Sequence, residues 1–321
     1  MSIKSSKNSL GIVFMGTPDF AVGSLKAILE AGYNVVGVIT APDRPAGRGR
    51  KLKESAVKLF AKEQQLKVLQ PTNLKDEVFL QDLKRLDANL FVVVAFRMLP
   101  KVVWQMPEYG TFNLHASLLP QYRGAAPINW ALINGETETG VTTFFIDDKI
   151  DTGNIILQEK EEILEDDNMG SLHNRLMELG ANLVVETCNQ IANKTVSTTE
   201  QKHFNDLKPA HKIHKETCRI DWNTPLNTIH NHIRGLSPYP TAWTMLVNNN
   251  KEEALKIYRS SMEKGDHKHP FGKLFVDKRT LKVAVKGGYL QLLEIQLSGK
   301  RKMEVTEALN GLNLDKTAYL R

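Results

Sequence analysis

Short, wholly apolar runs alternate with longer stretches of helical period over the first part of this chain, and few folds accommodate that alternation. Gly11-Ile12-Val13-Phe14-Met15, Asn34-Val35-Val36-Gly37-Val38-Ile39-Thr40 and Leu90-Phe91-Val92-Val93-Val94 are too short for buried helices and read as strands covered on both faces. Between them, Asp19 to Glu30, Glu54 to Gln64 and about Leu74 to Leu86 carry helical spacing, and Ala31-Gly32 stops the first of these. A short helix at Lys101 to Gln105 follows, and a last one from about Met169 to Ala192 closes this part. The pattern predicts right-handed βαβ units around a mostly parallel sheet, a Rossmann-like α/β fold. Gly16-Thr17-Pro18-Asp19 occupies the first strand-to-helix turn but lacks the Gly-x-Gly-x-x-Gly spacing that lets a pyrophosphate approach a helix start. That excludes an NAD enzyme, and Thr17 or Asp19 reads instead as a helix cap.

The chain has 321 residues, enough for two domains, which are expected at 1–192 and 212–321. Residues 193–211 are polar, start with a Ser/Thr-rich run and show no sustained apolar period, so they read as a linker. Beyond it, a helix is expected from Leu226 to Gly235, followed by short alternating runs such as Ala254–Tyr258, Lys282–Val285 and Leu290–Leu293 that fit a small β-barrel. The net charge of +6 is uneven. From His211 to Arg321 there are 19 Lys and Arg against 11 Asp and Glu, whereas the remainder holds 23 against 25. A basic module on a near-neutral one suggests a polyanionic partner held by its backbone charge. No segment approaches the roughly 20 continuous apolar residues of a membrane span, and the N-terminus leads into a core strand, so a cytoplasmic chain is expected. Cys188 and Cys218 lack metal-type spacing and read as structural thiols.

Chemistry concentrates in Gly110-Thr111-Phe112-Asn113-Leu114-His115-Ala116-Ser117-Leu118-Leu119-Pro120. The apolar flanks predict a strand, in which residues two apart share a face, so Asn113 and His115 converge. One offers an uncharged amide to a developing oxyanion, and the other carries a proton near neutral pH. The strand leaves through a Pro- and Gly-rich loop, Ser117 to Pro127, which lets a ligand approach closely. Asp151, in Ile150-Asp151-Thr152-Gly153 at the tip of a predicted hairpin, would complete a base and its orienter. Asp147 and Asp148 compete for that role on chemistry alone.

These residues carry a resemblance. Gly16-Thr17-Pro18-Asp19-Phe20-Ala21, Ala41-Pro42-Asp43-Arg44-Pro45-Ala46-Gly47-Arg48-Gly49-Arg50, the Asn-x-His strand, the Ser-Leu-Leu-Pro-x-Tyr-Arg-Gly-Ala-Ala-Pro loop, the Asp-Thr-Gly turn and Arg219-Ile220-Asp221-Trp222 occur in the order seen in the methionyl-tRNA formyltransferases. That family belongs to the wider 10-formyltetrahydrofolate-dependent formyltransferases. The resemblance spans essentially the whole chain. It implies transfer of the formyl group of 10-formyltetrahydrofolate to the amino group of methionyl-initiator-tRNA in translation initiation, without a metal. It selects Asp151, through the Asp-Thr-Gly motif, as the partner of Asn113 and His115. It further implies folate contacts at Ser117, Leu118, Leu119, Pro120, Phe96 and Arg97, tRNA contacts at Arg44, Arg48, Arg50 and Lys51, and an OB-like tRNA-binding barrel at the C-terminus. A monomer is expected. Val93-Val94-Ala95-Phe96-Arg97-Met98-Leu99-Pro100 departs from the family's Val-Ala-Tyr-Gly-x-x-Leu-Pro loop, being one residue shorter with Arg97 near the usual glycine.

Two rival readings remain distinct from this one. A formyltransferase acting on a small amine would have no use for the basic C-terminal module, and a noncatalytic RNA-binding protein would not need Asn113, His115 and Asp151 together.

Overall fold

The apolar runs form the inner strands of one twisted sheet, whose strand ends carry the residues of interest. A computed structural model describes residues 10–46, 51–202 and 206–321. Its first half runs through β1 (Gly11–Gly16), α1 (Asp19–Glu30), β2 (Asn34–Ile39), the short pair β3 (Arg44–Ala46) and β4 (Lys51–Lys53), α2 (Ala56–Glu63), β5 (Val68–Leu69) and α3 (Glu77–Lys84). Then come β6 (Leu90–Val94), α4 (Lys101–Trp104), β7 (Thr111–His115), α5 (Pro127–Ile133), β8 (Glu138–Phe145), β9 (Ile155–Glu162) and the long α6 (Met169–Ala192). The sheet order is β5-β2-β1-β6-β7-β8-β9. Pairing is parallel from β5 to β7 and turns antiparallel between β7 and β8.

Every residue of β6 and all but the first of β1 are buried, as their unbroken apolar sequences require. The chain crosses from β5 back to β6 on the other side of β1, so the order reverses between β1 and β6. In open α/β sheets ligands bind outside the C-terminal strand ends at such a reversal. The loops after β1, β6 and β7 all leave from that edge, and the last of them follows Asn113 and His115.

Local chemistry explains where helices start. The sequence places the second helix from Glu54 and the third from about Leu74, but Ser55 caps α2 by accepting the Lys58 N–H at 3.0 Å, and Asp76 caps α3 by accepting the Phe79 N–H at 3.0 Å. Neither Thr17 nor Asp19 caps α1, contrary to expectation. Pro18 holds the N-cap position without a side-chain bond, and the Asp19 carboxylate instead accepts the N–H of the adjacent Phe20 at 3.0 Å. An acid in the first turn still favours the helix start through the backbone dipole. Helix α5 falls in a stretch with no predicted element, and Pro127 sits at its first position, where a missing N–H costs nothing.

The second half comprises α7 (Leu226–Leu236), β10 (Ala242–Asn248), β11 (Lys251–Lys264), β12 (Leu274–Val276), β13 (Leu281–Val285), β14 (Gly288–Leu297), β15 (Met303–Glu304), α8 (Val305–Ala308) and β16 (Tyr319–Leu320). The strands form an antiparallel, barrel-shaped sheet in the order β12-β13-β14-β11-β10-β16, with β15 branching from β14. Bonds from Leu320 N–H to the Gly272 carbonyl at 2.8 Å and the bridge between Lys273 and Tyr319 nearly close it. Gly272 has φ +84°, and a Cβ there would strike the Leu320 carbonyl, so the seam requires glycine. This is the expected OB-like barrel. Its core gathers Trp222, Ile229, Ile233, Leu246, Ile257 and Leu292, with the Trp222 indole N–H donating to Thr244 Oγ1 at 2.8 Å.

The chain divides into two units. One takes the described residues up to Gly124 together with Thr139–Glu162 and His173–Pro209, and the other takes Ala125–Glu138, Ile163–Leu172 and Ala210–Arg321. Both cysteines are buried, which pushes their thiols up from the ordinary range. No helix among the described residues is long and apolar enough to cross a membrane.

Candidate active site

Strand β7 sets the geometry. Phe112 and Leu114 are buried, Leu114 against Gly180 of α6, so Asn113 and His115 share the opposite face. Asn113 pairs in register with Val93 of β6 and Phe144 of β8, and His115 pairs with Thr142. His115 is 6% exposed. Its Nε2 lies 2.8 Å from the Tyr122 carbonyl oxygen, which can only accept, so Nε2 carries a proton. In the neutral ring the basic lone pair is then on Nδ1.

That atom faces Asp151. Nδ1 is 3.8 Å from Oδ2, within ion-pair range but too long for a hydrogen bond. The carboxylate is held by the Gly124 N–H, which donates to Oδ2 at 2.9 Å. Asp151 has φ +54°, a left-handed conformation that Asp tolerates better than most residues. Two residues on, Gly153 passes so close to the Phe145 carbonyl that a Cβ would collide with it. The rival carboxylates are engaged elsewhere. Asp147 accepts from the Thr152 hydroxyl at 2.7 Å and the Lys149 N–H at 2.9 Å, and Asp148 is exposed and paired with Lys101 at 3.4 Å. The structure therefore brings Asp151 to His115, and neither of the others.

Asn113 is distinguished by what it lacks. Its Oδ1 is buried and has no hydrogen-bond partner among the described residues. Leaving a buried acceptor unpaired costs about 1–3 kcal/mol, so an orphan beside an acid–base pair marks a place where a ligand donor completes the set.

The loop after β7 is fixed from inside. Ser117 Oγ donates to the Gln121 carbonyl at 2.7 Å, and Thr142 Oγ1 donates to the Ser117 carbonyl at 2.6 Å. The Leu119 N–H donates to Thr142 Oγ1 at 3.2 Å, and Gln158 Nε2 donates to the Leu119 carbonyl at 2.8 Å. The Leu119–Pro120 peptide is cis. Of the four expected folate contacts here, Ser117 and Leu119 turn their side chains inward, while Leu118 and Pro120 are half-buried.

Phe96 and Arg97 leave the end of β6. Phe96 packs partly against the core, and the exposed Arg97 lies over its ring with the guanidinium 5.7 Å from the centroid. Arg97 donates to the carbonyls of Thr72, at 2.9 Å, and Pro71. Partial burial and the positive charge of Arg44 hold its pKa below the usual arginine value. The residue that departs from the family pattern thus ties this loop to the segment after β5.

Arg44 begins the β3–β4 pair and is exposed. Arg48 and Arg50 lie outside the described residues, as does the side chain of Lys51. The base of the pair is anchored by Lys58, whose Nζ lies 2.5 Å from Asp43 and 2.8 Å from Glu54, and by Gln70, which donates to Asp43 and the Ala41 carbonyl at 2.8 Å each. The ammonium holds the Asp43 and Glu54 carboxyls below their ordinary range, and they in turn raise Lys58.

Sequence reasoning missed Tyr122, Thr142, Gln158 and Gln201 as supports of this centre. Tyr122 lies within the Ser-Leu-Leu-Pro loop motif but acts through its backbone carbonyl, and the other three belong to no local pattern, because each acts on a partner brought near only by the fold. Among the described residues no group of three or more metal-ligating side chains is present.

Comparison with known proteins agrees with the geometry. The formyl transferase family pattern matches residues 10–188, and that of the formyl transferase C-terminal domain matches residues 212–313. The chain is 58% identical over 309 residues to a methionyl-tRNA formyltransferase of Flavobacterium johnsoniae, covering 96% of this chain and 98% of that one. It is 54% identical over 313 residues to the enzyme of the same name from Bacteroides thetaiotaomicron, covering 96% and 97%. Among solved structures, it resembles WlaRD, a sugar 3N-formyl transferase determined with dTDP and 5-N-formyl-THF. The TM-score is 0.63 at 23% identity, covering 91% of this chain and 99% of that one, a likeness of fold.

Proposed function

Since this chain belongs to the formyl transferase family, we propose that it transfers the formyl group of 10-formyltetrahydrofolate to the amino group of methionyl-initiator-tRNA, the step that prepares the initiator for translation. The observation that carries this reading is the Asn113–His115–Asp151 constellation, with His115 buried and the buried Asn113 Oδ1 unpaired among the described residues.

The folate supplies an activated formyl carbon, and the protein supplies orientation and a path for one proton. The amine adds to the formyl carbon and its proton passes to Nδ1 of His115, since Nε2 is already committed to Tyr122; that proton then goes to the folate nitrogen as its bond to the formyl carbon breaks and tetrahydrofolate leaves. Asp151 then stabilises the imidazolium across 3.8 Å. The Asn113 amide donates to the formyl oxygen as charge builds there, while its orphan Oδ1 accepts from the incoming amine. Leu118 and Pro120, on a loop stiffened by Thr142 and Gln158, wall the folate together with Phe96 and Arg97. Ser117 and Leu119 shape that loop from within.

The same reading assigns residues 1–192 to catalysis, 193–211 to a connecting segment and 212–321 to tRNA binding, with Arg44, Arg48, Arg50 and Lys51 as a second contact to the tRNA. It makes the chain a cytoplasmic monomer. The relatives' shared name, the surplus of basic residues after His211 and the exposed Arg44 support it.

The test is incubation with labelled 10-formyltetrahydrofolate and either methionyl-tRNA, free methionine or a small amino sugar. Label is expected on methionyl-tRNA alone. Label on a small amine, with methionyl-tRNA untouched, would overturn the reading.

A further inference from the structure

Gln201 lies in the polar stretch that reads as a linker, yet it is 4% exposed. Its Oε1 accepts from Arg123 twice, from Nε at 3.1 Å and Nη2 at 2.6 Å. Its Nε2 donates to the carbonyls of Asp151, at 3.0 Å, and Gly153, at 2.8 Å. The orientation of the amide follows from its partners, because a guanidinium only donates and a carbonyl only accepts.

The neighbours of these partners give the arrangement its meaning. Arg123 stands between Tyr122, whose carbonyl holds His115 Nε2, and Gly124, whose N–H holds the Asp151 carboxylate. Gln201 therefore closes a ring that runs from His115 through Tyr122, Arg123 and Gln201 to Asp151, with Gly124 as a second spoke. The strand-like segment around it is itself fastened. Thr199 and Ile155 exchange two backbone bonds of 2.8 Å, and Lys208 accepts from the Tyr122 N–H at 2.7 Å while donating to Gln121 Oε1 at 2.8 Å. Arg123 meets a neutral amide rather than a carboxylate, so the link positions the loop without cancelling its charge.

We propose that Gln201 is a positioning residue for formyl transfer, setting the distance between Asp151 and His115 by tying the Asp151–Gly153 turn to the Tyr122–Gly124 loop. The proposal rests on the formyl-transfer reading, and its test separates the two.

In the full chain, Q201L keeps the volume and removes all four bonds. Q201E keeps the size and the Arg123 contact but sets a negative charge against two carbonyl oxygens. Both are expected to remain folded by thermal melting, with kcat for methionyl-tRNA lowered about 10- to 100-fold and KM for each substrate within about threefold, as for misplacement of a catalytic group. On a D151N background, Q201L is expected to cost little more. Parent-like kcat in both variants, a loss carried by KM rather than kcat, or the full Q201L loss on the D151N background, would overturn the proposal. Where Q201L does not fold, Q201E decides. A parent chain inert toward methionyl-tRNA would overturn the functional reading instead, and the proposal would then be read by the NMR chemical shifts of the His115 ring, which must change in Q201L and whose constancy would sink it.

Discussion

At the end of β7, His115 is 6% exposed and held by fixed partners on both sides of its ring. In the barrel, by contrast, cations lie on the surface over aromatic rings: Lys215 and Arg219 over Trp243 at 5.5 and 5.7 Å, Lys273 over Phe275 at 5.4 Å and Lys302 over Tyr258 at 5.1 Å. In the proposed reading the two regions serve different tasks. A buried group acts on one bond and depends on positions good to a fraction of an ångström, so each member is close to indispensable. Exposed charges act on a polyanion collectively, through high dielectric and screening ions, so each is worth little and the sum is worth much.

That contrast is most directly broken at its strong end. H115A and N113A are each expected to lower kcat by roughly two to four orders of magnitude in steady-state formylation of methionyl-tRNA, the usual range for an acid–base group or an oxyanion donor. D151N is expected to cost about 10- to 100-fold, since it removes a charge 3.8 Å from the ring rather than a group in contact with substrate, whereas D148N stays within about twofold. Near-normal turnover by H115A would remove the distinction between the two regions altogether.

At the weak end, K273A and K302A are each expected to raise KM for methionyl-tRNA by about two- to fivefold with kcat unchanged, and the pair to combine roughly multiplicatively. Smaller still is the effect at the base of the β3–β4 pair. Asp43 has a carboxyl depressed by its bond to Lys58, so its contribution is complete above the unfolded carboxylate value of about 3.9 and is lost as pH falls through the lower folded value. D43N is expected to weaken tRNA binding about twofold at neutral pH, and hydrogen exchange at the Lys51–Lys53 amides is expected to rise with it.

The division between the regions also decided what was legible in the sequence. The βαβ order, the helix from Met169 to Ala192 and the facing of Asn113 and His115 follow from periodicities of 3.6 and 2, which are local. The choice among Asp147, Asp148 and Asp151 is not local. It turns on a left-handed backbone at Asp151 and on the capture of Asp147 by Thr152 and Lys149, and only the motif resemblance favoured Asp151 in advance. Gln201 was invisible for the same reason, because its partners lie 48 to 78 residues away and nothing in a polar stretch announces a buried amide. Caps moved two helix starts by two or three residues from the periodic expectation, and α5 escaped because Pro127 reads as part of a loop until its position at the first helical turn is known. In the barrel the alternating runs were readable, but the seam at Gly272 was not, since its partner Leu320 lies at the far end of the chain.

The central claim is that chemistry resides in a few buried side chains while the tRNA is gripped by dispersed charge, and the salt dependence of steady-state formylation tests it most directly. Between about 50 and 200 mM salt, KM for methionyl-tRNA is expected to rise steeply, with a log–log slope of about 0.7 to 0.9 per phosphate contact, while kcat at saturating tRNA stays constant within about twofold. A kcat that falls with salt while KM holds still would contradict the account.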